Sequence, residues 1–530
     1  MSDSCRAVPL TAAVRLVAAA RLVAAVRWAA ALRWVAAARL VAAALGLAAL
    51  ASPVPGRAAA ADDPAVPDLL QRMNVAQAAK RLCSAVFVSG RDQEEGWRNS
   101  AGTWLSAEAR AARERGELRF EVDRAERRVT AAWNGAEIAA GAFGDQGCAI
   151  LPEGARGVLF TPLDVVSALP PAGELDWPMG DREPAAALPP ALDGAPLDRA
   201  KLDAAAEAAF ADPADHTAAF VALYRGRIVA ERYLPGVDRD TQLESWSMGK
   251  SLTATLVGLL IEEGALELWG PAPVPQWHDV PGDPRAAIRV ADLLRMSSGL
   301  FFTQTGDPPE RLARSYIPGQ PDHSLGYVAP VDVFRLSISR PLEHPPATVG
   351  RYRNCDPLTL GYLVKRIVEG RGESYLRWPQ RALFDRIGIR RQVLETDVYG
   401  NFVLTGFDFG TARGWARLGL LWLEDGVWQG ERLLPEGFVE FTRTSAPGWP
   451  EDVYGGLFWL DHQALPQGSF SMRGAGGQEV AIVPSHHLVL VRMGHSAGWP
   501  LTGGARAQEE RRDRAYTLVL EAVDPGWKGP

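Results

Sequence analysis

The chain has 530 residues, of which 47% are hydrophobic and 22% are charged, and its formal net charge is −7. A chain of this length and apolar content can form two or three domains with ordinary cores, so disorder is not the default expectation. The acidic balance argues against nucleic acid as a partner.

Residues 1–61 differ in composition from the rest and are predicted to be a targeting segment. They hold no acidic residue after Asp3, and an uncharged run at 40–51 precedes Ala58–Ala61, which resembles a small-residue cleavage site. We expect export to the periplasm or the medium, with cleavage, and no stable membrane span afterwards. A retained anchor is the weaker alternative because the run is short for a bilayer, and a misplaced start codon stays open.

Removal of this segment leaves 49 basic and 62 acidic residues, a formal charge of −13. Residues 62–160 then read as a small α/β domain with a short helix and strands near Ser84–Val88, Leu118–Val122 and Arg128–Ala132. A Pro-rich linker is predicted over 161–197.

Four cysteines are present, and an oxidising compartment would allow one disulfide, for which we favour Cys83 with Cys148. The alternative is that both are small buried apolar residues. No Cys/His spacing is typical of zinc, so neither a metal nor a cofactor is expected.

Residues 198–525 are predicted to be the main domain. A helix over Asp198–Ala211 precedes two strands, Thr217–Tyr224 and Arg227–Tyr233, joined by a hairpin turn. The carboxyl end returns to strands, Glu479–Val483 and Leu488–Val491, before a closing helix. Strands on either side of a helical middle predict an α+β fold whose sheet draws on both ends of the domain.

The pattern Ser247-x-x-Lys250 opens a helical run in this domain. Residues three apart share a helix face, so the lysine can reach the serine hydroxyl, and a desolvated lysine can act as a base. The alternative is a solvated lysine beside a helix-capping serine.

Two further segments accompany this pair. Tyr352-Arg353-Asn354 stands where another helix begins, and a tyrosine near an ammonium is expected to have a lowered pKa and to relay a proton. Its alternative is a packed tyrosine followed by a helix cap. The glycines from Gly474 to Gly477 lie between strand-like runs, where substrate backbone can approach closely or where a hairpin simply turns.

These three motifs, in this order, resemble the serine β-lactamase and penicillin-binding-protein superfamily. The stretches Ile288–Leu300 and Thr411–Gly419 also resemble that superfamily, and the match covers roughly 198–522. The resemblance implies an antiparallel sheet flanked by helices. It also implies Ser247 as nucleophile, Lys250 as base, Tyr352 as acid/base, Asn354 and Gly474 as substrate contacts, and the backbone N–H groups of Ser247 and Ala475 as the oxyanion hole.

The third motif departs from the superfamily pattern, because Met472-Arg473-Gly474 stands where Lys-Thr-Gly or His-x-Gly is usual. This form resembles the esterase and 6-aminohexanoate-dimer hydrolase branch and favours an ester or simple amide as the small-molecule substrate. Alternate residues of a strand face opposite ways, so only one of Met472 and Arg473 can face the cleft.

Three alternatives remain. One is a carboxypeptidase or β-lactamase acting on D-Ala-D-Ala peptides or β-lactams. Another is an α/β-hydrolase, since Ser245-Trp246-Ser247-Met248-Gly249 is one residue away from its nucleophile motif, although the preceding segment is polar. The last is a catalytically silent binding protein on the same fold.

Overall fold

The computed structural model describes residues 65–451, 453–496 and 505–530. Residues 65–530 form one compact unit, so the predicted linker at 161–197 lies inside it. The predicted targeting segment lies outside the described residues. Within the described ranges, no helix combines the length and the apolar character that a membrane crossing requires.

The amino-terminal region packs a long helix against a small antiparallel sheet of order β1-β2-β3-β4. Its elements are α1 Ala65–Phe87, α2 Gln93–Gly96, α3 Ala107–Glu114, β1 Arg119–Asp123, β2 Arg128–Trp133, β3 Ala136–Ala142 and β4 Cys148–Ile150. The predicted strands at β1 and β2 are confirmed. The strand predicted at Ser84–Val88 is wrong: Ser84 to Phe87 form the end of α1, because a short apolar run fits a buried helix as well as a strand.

A disulfide joins Cys83 of α1 to Cys148 of β4, with their Cα atoms 6.1 Å apart. Both residues are fully buried in the core of the amino-terminal region. The pairing favoured from the sequence therefore links the helix of this region to its sheet.

A buried ion pair fixes α1 to the rest of the molecule. The Lys80 ammonium contacts the Glu395 carboxylate, which also accepts hydrogen bonds from the Ser84 hydroxyl at 2.9 Å and the Cys148 N–H at 2.7 Å. Burial lowers the pKa of Lys80 and raises that of Glu395, and the mutual attraction opposes both shifts. Residues 65–150 are thus bonded directly to the part of the chain that holds the predicted site.

The segment 161–197 is mostly irregular, as its proline content predicts. It runs against the main body, where the Arg413 and Arg417 guanidinium groups donate to the carbonyl oxygens of Asp181 at 3.0 Å and Pro178 at 2.6 Å. These bonds make the segment part of the compact unit.

The remaining elements form the main body. Its helices are α4 Arg199–Ala208, α5 Met248–Glu262, α6 Pro275–His278, α7 Val290–Leu294, α8 Pro309–Leu312, α9 Asp322–Val328, α10 Val333–Ile338, α11 Cys355–Gly370, α12 Ala412–Leu423, α13 Phe438–Thr442 and α14 Ala505–Val523. Its strands are β5 Thr217–Tyr224, β6 Arg227–Tyr233, β7 Leu243–Glu244, β8 Gln392–Leu394, β9 Asp408–Gly410, β10 Val427–Trp428, β11 Glu431–Arg432, β12 Phe470–Gly474, β13 Gln478–Val483 and β14 Leu488–Gly494.

The central sheet has five antiparallel strands in the order β12-β13-β14-β5-β6. Side chains alternate between its faces: Val221 and Leu223 of β5 join the core that contains α5 and α12, whereas Phe220 and Ala222 join the core that contains α4 and α14. The predicted α+β fold, with a sheet drawn from both ends of the domain and flanked by helices, is confirmed. The edge strand β12 and the start of α5 then meet at the predicted site.

Candidate active site

Ser247 stands immediately before the first residue of α5, after a sharp turn at Trp246. Trp246 has φ +51°, a left-handed conformation that costs a non-glycine residue about 1–2 kcal/mol. Its ring lies 4.8 Å from that of Trp104, and its indole N–H donates to Ser496 Oγ at 3.0 Å. These contacts hold the turn that presents the partly exposed Ser247 hydroxyl.

The amino-terminal region supports this turn directly. The Arg81 guanidinium of α1 lies 4.8 Å from the rings of both Trp104 and Trp246. Arg81 is buried, and burial lowers its pKa to about 9. The sequence assigned no role to this region; the structure places it against the residue that precedes the nucleophile.

Lys250 lies one turn into α5 and is only 1% exposed. Its Nζ atom is 3.0 Å from Ser247 Oγ and also donates to the Thr405 carbonyl at 3.0 Å. Burial lowers the pKa of Lys250 to about 7, against an opposing influence of the Asp408 carboxylate. A lysine with this pKa is partly neutral near pH 7, so it can accept the serine proton.

Asp408, the first residue of β9, lies behind this lysine. The carboxyl group occupies the space beside Gly249, where any side chain would collide with it. Burial raises the pKa of Asp408 to about 7, although the neighbouring Ser245 hydroxyl acts in the opposite direction. No motif marks Asp408 in the sequence, and its role depends on packing between distant segments.

Tyr352 completes the predicted triad. The Ser247 side chain acts on its hydroxyl in the direction that lowers the pKa of Tyr352, and Lys250 Nζ lies 4.8 Å from the centre of its ring. The expected lowering of its pKa is wrong: burial raises the pKa of Tyr352 well above its usual range. The phenol therefore keeps its proton, which suits a proton donor and leaves the role of base to Lys250.

Asn354 is bonded to the wall of the cleft. Its Nδ2 atom donates to the His323 carbonyl and to the Tyr327 hydroxyl, both at 2.9 Å. Its Oδ1 atom is buried and has no hydrogen-bond partner among the described residues, so only this oxygen is left for a substrate amide.

Sequence reasoning missed Tyr327 and His323, both on α9. The Tyr327 hydroxyl contacts the carbonyl of Thr405, the same oxygen that Lys250 binds. Burial and the nearby Lys250 lower the pKa of His323 to about 3, so this ring is neutral. Neither residue belongs to a recognisable motif, and only tertiary packing brings them to the site.

Gly474 allows β12 to lie against the nucleophile. A Cβ atom at this position would lie 3.1 Å from the Ser247 backbone nitrogen and would collide with the Ser245 carbonyl. Ala475 follows in the turn, and in the described part of the chain neither its N–H nor that of Ser247 donates to a backbone carbonyl. Neither N–H group of the predicted oxyanion hole is therefore occupied by a backbone acceptor in that part of the chain.

The strand orientation resolves the ambiguity at the third motif. Met472 lies on the same face of β12 as Gly474, which is the face toward Ser247, and is fully buried. Arg473 faces the other way, where it donates to Glu479 Oε1 at 2.9 Å and Asp461 Oδ1 at 2.7 Å. Neither side chain of β12 presents a cation to the cleft.

A large cavity lies elsewhere on the molecule. It has a volume of about 950 Å³ and opens beside Phe334, Tyr362 and Lys365. None of the residues that line it belongs to the group around Ser247, so the chemistry of the side chains, and not cavity size, identifies the site.

Comparison with known proteins agrees with this geometry. Residues 202–513, more than half of the chain, match the Beta-lactamase family. The 6-aminohexanoate-dimer hydrolase of Paenarthrobacter ureafaciens is 26% identical over 310 residues, which cover 54% of this chain and 73% of that protein.

Similar solved structures include two with 18% sequence identity. One is a family VIII carboxylesterase with a TM-score of 0.43, and the alignment covers 60% of this chain and 97% of that protein. The other is the octameric penicillin-binding protein homologue from Pyrococcus abyssi with a TM-score of 0.44, and the alignment covers 61% of this chain and 77% of that protein. The resemblance expected from the motifs is confirmed, and the chain belongs to the β-lactamase family of serine hydrolases, which includes esterases and amidases.

Proposed function

We propose that this protein is an exported serine hydrolase that cleaves an ester or an unstrained amide through an acyl-enzyme on Ser247. The observation that carries the proposal is the buried Lys250 Nζ, 3.0 Å from Ser247 Oγ, with a pKa lowered to about 7. Burial of an ammonium group beside a hydroxyl, with no carboxylate in hydrogen-bond contact, costs free energy, and a purely structural role for this lysine would not offset that cost.

The reaction follows from the roles of these groups. Lys250 takes the Ser247 proton as Oγ attacks the substrate carbonyl carbon, and the backbone N–H groups of Ser247 and Ala475 stabilise the resulting oxyanion. Tyr352 gives its proton to the leaving oxygen or nitrogen as the bond to the carbonyl carbon breaks, and the proton on Lys250 restores the phenol. Water then attacks the acyl-enzyme, releases the acid and regenerates Ser247.

The substrate class follows from the strand wall of the cleft, which is the side formed by β12. Arg473 is paired with Asp461 and Glu479 on the far face of β12, and Met472 is buried. A substrate carboxylate would find no strand cation there, which favours uncharged esters and amides over β-lactams and D-Ala-D-Ala peptides. The relative named for hydrolysis of the 6-aminohexanoate dimer supports a linear amide as one member of this class.

Export and the absence of macromolecular partners are part of the same proposal. The Ala-rich segment 1–61 supports a cleaved leader, and the Cys83–Cys148 disulfide suits the periplasm or the medium. We propose a small molecule as the only partner, with neither nucleic acid nor a stable membrane span after cleavage. Amino-terminal sequencing of the protein recovered outside the cytoplasm tests this directly, and an intact residue 1 would contradict it.

Covalent labelling tests the enzymatic proposal. A fluorophosphonate probe is expected to label the wild-type protein and the matched serine control Ser339→Ala, but not Ser247→Ala. A fluorescent penicillin is expected to label none of them. Absence of the fluorophosphonate label from the wild type would overturn the proposal, whereas penicillin labelling at Ser247 would restore the β-lactam alternative.

A further inference from the structure

An aromatic cluster extends outward from Tyr352. The Tyr352 ring centre lies 5.1 Å from that of Trp459 at an interplanar angle of 31°, and 5.9 Å from that of Tyr454. Tyr454 is buried and packs edge-on to Trp459 at 5.0 Å. Because Tyr454 supports both rings from behind, Tyr352 and Trp459 form a preorganised pair.

Trp459, like Tyr352, is partly exposed, and it lies beside β12. Its backbone exchanges hydrogen bonds with Ser471, with the Trp459 N–H donating at 2.9 Å and the Ser471 N–H donating at 2.8 Å. This pairing fixes Trp459 next to β12, one residue from the buried Met472.

The location of Trp459 relative to the reaction follows from Tyr352. In the proposed reaction the Tyr352 phenol, whose ring lies 4.8 Å from the Lys250 Nζ that contacts Ser247, protonates the leaving atom. The leaving atom must then lie within hydrogen-bond reach of that phenol, about 2.6–3.2 Å. A substituent on the leaving atom must lie beside the Tyr352 ring, where Trp459 is the adjacent partly exposed surface.

We propose that Trp459 determines leaving-group specificity by stacking on an uncharged aromatic or alicyclic group of the alcohol or amine that the reaction releases. This inference rests on the proposed acyl-enzyme chemistry and adds the substrate class to it. An indole face offers a large apolar surface with little conformational freedom to lose, and it offers nothing to pair with a carboxylate.

A series of acetate esters tests the inference, because methyl, benzyl and 4-carboxybenzyl acetate all give the same acetyl-enzyme. The wild type is expected to prefer benzyl over both other esters in kcat/KM. Trp459→Ala is expected to lose about tenfold on benzyl acetate and less than about twofold on methyl acetate, in line with the worth of one aromatic pair. Trp459→Phe should keep most of the benzyl preference, and hydrolysis of the preformed acetyl-enzyme should be unchanged in both variants.

Trp269→Ala is the matched control, because Trp269 is 52% exposed and packs against Phe441 and two arginines away from the site. It should leave all three esters unaffected. Equal losses on methyl and benzyl acetate in Trp459→Ala, or a wild type that does not distinguish them, would overturn the specificity role while leaving the acyl-enzyme intact. A wild type that hydrolyses no ester and takes no fluorophosphonate label would instead overturn the proposed function itself.

Discussion

The two walls of the cleft differ in chemistry. The helical wall brings Ser247, Lys250 and Tyr352 into mutual contact, with a buried lysine and a protonated phenol on either side of the hydroxyl. The strand wall, built from β12 and its neighbour Trp459, contributes backbone, an apolar side chain and an indole, while its one cation faces away. The helical wall therefore accounts for the reaction and the strand wall for the choice of substrate, and the two can be altered separately.

Removal of the nucleophile should have the largest effect. Ser247→Ala should lower kcat/KM at least about a thousandfold for every ester, because no other group can form the acyl-enzyme. Initial-rate measurements on 4-nitrophenyl acetate check this, with Ser339→Ala as the control and thermal melts to confirm folding. Retention of a tenth of the wild-type activity would show that Ser247 is not the nucleophile.

Tyr352→Phe should separate the proton donor from the base. The kcat/KM for an alkyl ester should fall about a hundredfold or more, because its alkoxide leaving group needs a proton in the transition state. The kcat/KM for a 4-nitrophenyl ester should fall much less, because its leaving group departs as a stable phenolate. Comparison of kcat/KM for ethyl and 4-nitrophenyl acetate gives the result, and equal losses on the two esters would contradict a donor role for Tyr352.

The pH profile should report Lys250 and its neighbour Asp408. Lys250 acts as a base only when neutral, so kcat/KM should rise with pH through about 7, the lowered pKa of this lysine. The ionised Asp408 carboxylate opposes that lowering, so Asp408→Asn should move the rise to lower pH and increase the relative rate near pH 7, where both groups titrate, by up to about twofold. If the rise in kcat/KM stays at the same pH in Asp408→Asn, or moves to higher pH, the placement of the Asp408 carboxylate beside Lys250 would be contradicted.

Arg473→Ala should have the smallest effect on activity. The side chain lies on the far face of β12, so kcat/KM should stay within about twofold of wild type. Stability should fall instead, by about 1–3 kcal/mol, because the fully buried Glu479 loses one of its charged hydrogen bonds. Urea unfolding measures this, with the exposed Arg506→Ala as the control for loss of a surface ion pair. A large loss of activity without a loss of stability would place Arg473 in the cleft.

Local features of this molecule could be predicted from its sequence. Ser247 and Lys250 meet because residues three apart share a helix face, and the β5–β6 hairpin follows from strand alternation around a turn at Arg225-Gly226. Both depend on neighbours in the chain. The α+β fold followed from the order of such elements.

Tertiary properties could not be predicted in this way. The pKa of Tyr352 depends on its burial, which outweighs the influence of Lys250, and the direction expected from proximity alone was wrong. Asp408 and Tyr327 come to the site from distant segments without a periodic pattern. Whether Met472 or Arg473 faces the cleft depends on which side of β12 packs against α5, and the sequence does not contain that information.

Trapping the intermediate tests the central claim most directly. Acid quenching during hydrolysis of 4-nitrophenyl acetate, followed by peptide mapping, should find an acetyl group in the tryptic peptide Asp240–Lys250 and, by fragmentation, on Ser247 rather than Ser245. The adduct should be absent from Ser247→Ala. Continued hydrolysis with no acetyl group on Ser247, or with the acetyl group on another residue that turns over at the same rate, would contradict the account.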